Sequence, residues 1–137
     1  MATDLIPKTF LRRFVLYHLP ALLYALGIIA LSSIPNLATP QIRIIAVDKV
    51  AHFLEYAIFA FLIFRSVSNL SRRPRLRWIV LLSALFLCIF ALLDEIYQQY
   101  IPGRHMDVLD FVTDVGGALI VLTIMGRRYQ QAQKRSE

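Results

Sequence analysis

Acidic side chains within or beside long apolar segments are the residues most able to do chemistry in this 137-residue sequence. Two of the nine acids lie near the termini, and the other seven are Asp48, Glu55, Asp94, Glu95, Asp107, Asp110 and Asp114. A charge at the centre of a bilayer costs about 2.5 to 3.5 kcal/mol on insertion scales, so such acids usually face a bundle interior or a water-filled cavity. We therefore expect these seven acids to form a cluster.

The segment that begins near Asp48 places its polar residues along one side of a helix. Asp48, His52 and Glu55 stand at positions i, i+4 and i+7, which form one narrow stripe at about 100° per residue, and Tyr56 lies beside that stripe. The residue type of Asp48 also suits a helix N-cap. The stripe predicts that these side chains point in one direction.

The two following segments show the same kind of spacing. Asp94 and Gln98 share a helix face because they are four residues apart. Asp107, Asp110 and Asp114 lie within a sector of about 60° on the last segment. A simpler alternative for Asp107 is an N-cap, with Asp110 three residues later as in a capping box.

The turn between these two segments carries an arginine. Pro102 and Gly103 are turn residues, and Arg104, which follows them, is the only arginine near the acids. Its planar guanidinium either neutralises carboxylates or binds an anionic ligand, and we expect the structural role to dominate because seven acids surround it. Farther along, Gly117 flanks the acidic face where another helix could approach closely.

Together these residues form a predicted polar cluster of Asp48, His52, Glu55, Tyr56, Asp94, Glu95, Gln98, Arg104, Asp107, Asp110 and Asp114. Carboxylates with a histidine can hold a divalent cation, and the deepest candidates for that role are His52, Glu55, Asp94 and Asp114. The alternative is that these four only form hydrogen bonds between helices. The spacing H-x-x-E differs from the H-E-x-x-H zinc motif, so the sequence assigns neither a metal nor catalytic residues.

The elements that must position this cluster are membrane helices. The chain is 58% hydrophobic with a mean hydropathy of +0.59, which is typical of a protein whose solvent is a bilayer. Residues 14–31, 48–64, 78–97 and 108–125 approach the length of about 20 apolar residues that a spanning helix needs. The sequence predicts one domain over residues 1–137, an all-α bundle of four transmembrane helices, with a kink at Pro20.

Basic residues predict the orientation of the bundle. Both termini are expected in the cytoplasm, because twelve of the fifteen lysines and arginines then lie on that side and only Arg43, Lys49 and Arg104 lie outside. Short basic clusters between apolar runs are typical of membrane topology, so the net charge of +6 is not taken to indicate nucleic-acid binding. The first segment is read as a retained helix rather than a signal peptide, because no clean A-x-A site follows it.

Three runs of sequence resemble a known family. DKVAHFLEY at 48–56, LDEIYQQYIPGRHMDVLD at 93–110 and DVGG at 114–117 resemble the VanZ-like family of small bacterial membrane proteins, which is named for an association with teicoplanin resistance. The resemblance covers about two thirds of the chain and rests on Asp48, Lys49, His52, Glu55, Tyr56, Asp94, Glu95, Gln98, Pro102, Gly103, Arg104 and Asp110, and on the glycine after Asp114. Asp114 departs from the pattern, since the family usually has asparagine there, and this adds a negative charge to the site.

The resemblance implies a multi-pass cell-envelope protein of the bacterial cytoplasmic membrane, without implying an established reaction. We expect the outward-facing cluster to bind or modulate an envelope or glycopeptide-type ligand. The alternatives are a metal-dependent enzyme acting on a lipid-linked or cell-wall substrate at the outer leaflet, and a proton or ion pathway. The expected partners are membrane lipids and such a ligand, while the cofactor, for which a divalent cation is a candidate, and the oligomeric state are left open.

Overall fold

The computed structural model describes residues 8–35, 45–71 and 74–135, and all regular structure in those ranges is helical. The helices are α1 (Lys8–Arg13), α2 (Leu19–Ser32), α3 (Ile45–Ser68), α4 (Leu76–Gln98) and α5 (Val108–Lys134), with a π-helical turn over Phe14–His18 between α1 and α2. Four helical stretches are long and apolar enough to cross a membrane, namely Thr9–Ser32, Val47–Ser68, Leu76–Gln98 and Val108–Lys134. The predicted all-α fold with four membrane helices is confirmed.

The first span contains a local change of helix type where the sequence has proline. Pro20 lies in the first turn of α2, directly after the π-helical turn. A proline has no N–H to give to the carbonyl four residues earlier and its ring crowds that carbonyl, so the helix must adjust before it. The carbonyl concerned, that of Leu16, lies 3.4 Å from a guanidinium nitrogen of Arg65 on α3, which donates to it.

Helices α3 and α5 lie in close contact at a glycine. A Cβ placed on Gly117 of α5 would collide with the carbonyl oxygen of Phe53 on α3 and would lie 3.2 Å from its carbonyl carbon. Only glycine allows this approach, as the sequence suggested for the acidic face of the last segment. The contact lies beside His52 and Asp114, so it sets the distance between the polar faces of the two helices.

An aromatic group fills the core of the bundle. Phe59 is fully buried, and its ring lies 5.0 Å from that of Phe90 and 5.8 Å from that of Tyr24. Many large apolar side chains remain exposed on the outside of the helices, among them Leu22, Leu26, Leu81, Leu85, Ile120 and Ile124. A bundle with a small core and an apolar exterior is suited to a hydrocarbon environment.

Some predicted positions lie outside the described residues. These are Arg43, Arg72 and Arg73, which contribute to the topology prediction, and both terminal acids. Among the described residues, α2 and α4 end where α3 and α5 begin, and this end of the bundle, which carries Ser32, Asp48, Gln98 and Asp107, is called the acidic end below.

Candidate polar site

A lysine and two aspartates join α3 to α5 at the acidic end. The ammonium group of Lys49 lies 2.6 Å from Asp107, forms a second short ion pair with Asp110, and is 4.0 Å from Asp48. Asp107 also caps α5, because its other carboxylate oxygen accepts a hydrogen bond of 2.8 Å from the backbone N–H of Leu109. Asp48 lies within the first turn of α3 rather than at its N-cap, since that helix begins three residues earlier at Ile45.

One turn deeper, His52 lies between two aspartates of α5. Its Nδ1 is 3.1 Å from Asp114, and its Nε2 is 3.8 Å from Asp110. Asp114 is 1% exposed and Asp110 is 7% exposed, so these contacts are shielded from solvent. The i, i+4 and i, i+3 spacings of the sequence thus bring the predicted polar faces of α3 and α5 together.

A second polar network joins α2 to α4. The hydroxyl of Ser32 donates to Asp94 at 2.8 Å, and the side-chain amide of Gln98 donates to the same carboxylate oxygen at 3.1 Å. Asp94 and Gln98 were predicted to share a face and they do. Ser32 was not among the predicted residues, and its only sequence signal is a hydroxyl near the end of an otherwise apolar segment.

Arg104 binds carbonyl oxygens at the end of α2. Its guanidinium donates to the carbonyl of Leu31 at 3.0 Å and to that of Ile34 at 3.5 Å, and it lies 3.5 Å from the side-chain oxygen of Gln98. The last carbonyls of a helix have no partner within it, and a cation near them is favoured by the helix dipole. Gly103, with a φ of 77°, makes the turn that places Arg104 there.

Glu95 connects α4 to the beginning of α5. One oxygen of its carboxylate accepts a hydrogen bond of 3.0 Å from the backbone N–H of Asp107. Its side chain is fully buried although it follows Asp94 by only one residue. Both acids are buried because α4 contacts α2 on one side and α5 on another, and the two carboxylates face these two neighbours separately.

The remaining predicted residues lie deeper in the bundle or to one side. Glu55 is half-buried and lines a groove with Tyr24 and Gly27 of α2, and its backbone carbonyl accepts a hydrogen bond from Tyr24. Tyr56 is 1% exposed and packs on Phe59. Neither residue lines the cavity at the acidic end.

A cavity of about 300 Å³ opens at the acidic end between α3, the α4–α5 turn and the start of α5. Its polar lining comprises Asp48, Lys49, His52, Gln98, Arg104, His105, Asp107 and Asp110. Both permanent cations of this lining have protein partners, since Lys49 binds aspartates and Arg104 binds carbonyl groups. The carboxylates of the site are more numerous than its cations.

Among the described residues, two groups of side chains lie close enough together to hold a metal ion. One ligand atom each from His52, Glu95 and Asp114 lie within 4.8 Å of one another, and the same holds for Asp48, His52 and Asp110. Of the four predicted metal ligands, His52 and Asp114 belong to the first group, whereas Glu55 and Asp94 belong to neither. The third member of the first group is Glu95. Two carboxylate charges at most 4.8 Å apart repel each other by at least about 3.5 kcal/mol at an effective dielectric constant of about 20, so a cation or a shared proton would stabilise the arrangement.

Several buried polar atoms have no hydrogen-bond partner among the described residues. They are one carboxylate oxygen each of Asp94, Glu95 and Asp114, and the hydroxyls of Tyr56 and Ser83. Leaving such an atom unsatisfied costs about 1 to 3 kcal/mol, and a charged one more, so a bound water, ion or ligand group would be favoured beside the three acids.

Comparison with known proteins gives one family. No curated protein and no solved structure matches this chain. The model of the VanZ/LLP1 family matches residues 2–127, which include the first membrane helix as well as the three runs at 48–56, 93–110 and 114–117. With the four helices and the polar site in place, the match shows that this chain belongs to the VanZ/LLP1 family.

Proposed function

We propose that this protein binds an amine-bearing ligand of the cell envelope, of the lipid-linked or glycopeptide type, in the cavity at the acidic end. In this proposal the protein is a multi-pass protein of the bacterial cytoplasmic membrane with both termini in the cytoplasm, and the cavity opens to the outside. The arginines at the opposite end, among them Arg12, Arg13, Arg77, Arg127 and Arg128, support that orientation by the positive-inside rule.

The observation that carries the proposal is the charge of the cavity. Asp48, Asp107 and Asp110 line it; Lys49 is paired with Asp107 and Asp110, and Arg104 binds carbonyl groups, so Asp48 is the most exposed of these acids and the one most accessible to a ligand. An anionic ligand would have to replace those partners and approach the carboxylates. A ligand with an ammonium group would instead meet acidic oxygens at the rim, where Asp48 has a side-chain exposure of 53%.

The size of the cavity limits what it can hold. A volume of about 300 Å³ lies at the lower end of the range for small-molecule pockets, which is about 300 to 1,000 Å³. It accommodates an amino sugar or the amine-bearing part of a larger molecule. The rest of a glycopeptide or a lipid-linked precursor would lie over the loops or along the membrane surface.

The test is a binding titration with purified protein in lipid nanodiscs, using teicoplanin and its N-acetylated form as probes. We expect the amine-blocked form to bind more weakly, because it has lost its positive charge. Asp48→Asn should weaken binding of the free amine about fivefold at low salt, as expected when an exposed ion pair of about 1 kcal/mol is lost.

Glu55→Gln is the matched control for this titration. Glu55 lies on the same helix as Asp48, but its side chain lines the groove beside α2, so its neutralisation should leave the affinity unchanged. Equal binding of free and N-acetylated probe, or unchanged affinity of Asp48→Asn, would contradict the proposal.

A further inference from the structure

Three buried side chains from three different helices meet beneath the cavity. His52 of α3, Glu95 of α4 and Asp114 of α5 each offer a ligand atom within 4.8 Å of the others, and they are called the inner trio here. Glu95 is fully buried and Asp114 is 1% exposed. We propose that the inner trio is a binding site for a first-row divalent transition-metal ion such as Zn²⁺, a site that does not depend on the ligand proposed above.

The carboxylates of the inner trio are positioned but not fully used. Glu95 accepts the backbone N–H of Asp107 at 3.0 Å through Oε2, while its Oε1 has no hydrogen-bond partner among the described residues. Asp114 contacts His52 at 3.1 Å through Oδ1, while its Oδ2 likewise has none in that part of the chain. Glu95 therefore has one oxygen held by the backbone of α5, and each of the two carboxylates has one buried oxygen that is available to an ion.

The imidazole of His52 has the arrangement expected of a metal ligand. In metal sites the second ring nitrogen of a ligating histidine usually binds a carboxylate, a carbonyl or water, which fixes the ring. Here Nδ1 faces Asp114 at 3.1 Å and Nε2 faces Asp110 at 3.8 Å, so a carboxylate lies beside each nitrogen. An ion shared with Asp114 would take the place of a proton at Nδ1, and Nε2 would keep Asp110 as its acidic neighbour.

The ligand set selects a class of metal. Calcium and magnesium prefer oxygen ligands alone, whereas one imidazole with two carboxylates suits Zn²⁺, Mn²⁺, Fe²⁺ or Co²⁺. The second group, Asp48, His52 and Asp110, shares His52 with the inner trio but includes an exposed acid and an acid already paired with Lys49. The inner trio is favoured because its carboxylates are buried and its two unpartnered oxygens remain available.

The experiment measures metal binding directly in detergent-purified protein that has been stripped with chelator and washed. Zn²⁺ is titrated, bound metal per chain is counted by mass spectrometry, and Co²⁺ provides an optical spectrum of the ligand field. We expect one Zn²⁺ per chain and a higher melting temperature with Zn²⁺ but not with Mg²⁺. The proposal would be overturned if the washed protein held much less than one Zn²⁺ per chain and if added Zn²⁺ did not change its melting temperature.

Variants distinguish the inner trio from its neighbours. Glu95→Gln and Asp114→Asn should each weaken Zn²⁺ binding by more than about tenfold, since loss of a ligand should cost at least as much as loss of a group behind one. Glu55→Gln and Asp48→Asn should bind Zn²⁺ as wild type does, and each variant is first shown to melt cooperatively. If a ligand variant fails to fold, the Co²⁺ spectrum of the wild-type protein and the Zn²⁺ affinities of the two controls still test whether the ion binds at the inner trio. Loss of Zn²⁺ binding in Glu55→Gln or Asp48→Asn, or its retention in Glu95→Gln, would assign the ion elsewhere and refute the inner trio.

Discussion

Replacement of Gly117 by alanine should separate the two helices that carry the polar site. The new Cβ would overlap the carbonyl oxygen of Phe53, a backbone atom that cannot rotate away, so α3 and α5 would have to move apart. Overpacking of this kind costs about 1 to 3 kcal/mol. Because Phe53 follows His52 directly, the 3.1 Å contact between His52 and Asp114 would lengthen as well.

The neighbouring glycine provides the control. A Cβ on Gly116 would have no heavy atom within 4 Å, so Gly116→Ala changes helix propensity without creating a clash. Both substitutions gain a similar amount of propensity, about 0.8 to 1 kcal/mol on peptide scales, and that gain cancels when the two variants are compared. The difference in unfolding free energy between them should therefore be about 1 to 3 kcal/mol, with Gly117→Ala the less stable.

The assay is equilibrium unfolding in mixed micelles, followed by far-ultraviolet circular dichroism, with wild type and both variants side by side. Equal stability of Gly117→Ala and Gly116→Ala would refute the reasoning. It would mean that α3 and α5 are farther apart at this level than the structure places them.

Two further predictions concern orientation and the turn before α5. Cysteines are introduced at Asn36, which lies outside the described residues, and at Ser71, on a background without Cys88. In intact cells a membrane-impermeant thiol reagent should label the cysteine at 36 but not the one at 71. Labelling at 71 but not at 36 would contradict the proposed orientation. Arg104→Ala should lower stability by about 1 to 2 kcal/mol because the hydrogen bond to the carbonyl of Leu31 is lost, and Arg104→Lys should recover only part of it, since an ammonium cannot reach two carbonyls as the guanidinium does. Unchanged detergent melting of both variants would contradict this capping role.

The sequence predicted the helices and the polar stripes because both depend on local spacing. Hydropathy determines which segments enter the membrane, and the 100° rotation per residue places Asp110 and Asp114 on one face of α5. The meeting of that face with His52 could also be expected, since lipid exposure of these groups would be costly. Gly117 predicted a close contact between helices because a glycine, which has no side chain, lets a neighbouring backbone approach.

The partners of individual side chains could not be predicted in the same way. Asp94 and Glu95 are adjacent in sequence, and which of them faces α5 depends on how α4 is rotated between its neighbours, a tertiary property. Arg104 was expected to neutralise acids, but its position after Gly103 brings it to the end of α2, where carbonyl groups were the nearer acceptors. Ser32 has no pattern that separates it from any other serine in a membrane helix.

Asp107 joins three helices through three different groups. Its backbone N–H binds Glu95 of α4, one carboxylate oxygen caps α5, and the other binds Lys49 of α3. The α4–α5 turn therefore cannot swing away from the mouth of the cavity as an independent flap, because any opening at this residue also uncaps α5 and releases Lys49. Motions of the rim should be coupled to fraying of the first turn of α5, so amide hydrogens in that turn should exchange together with those of the preceding loop.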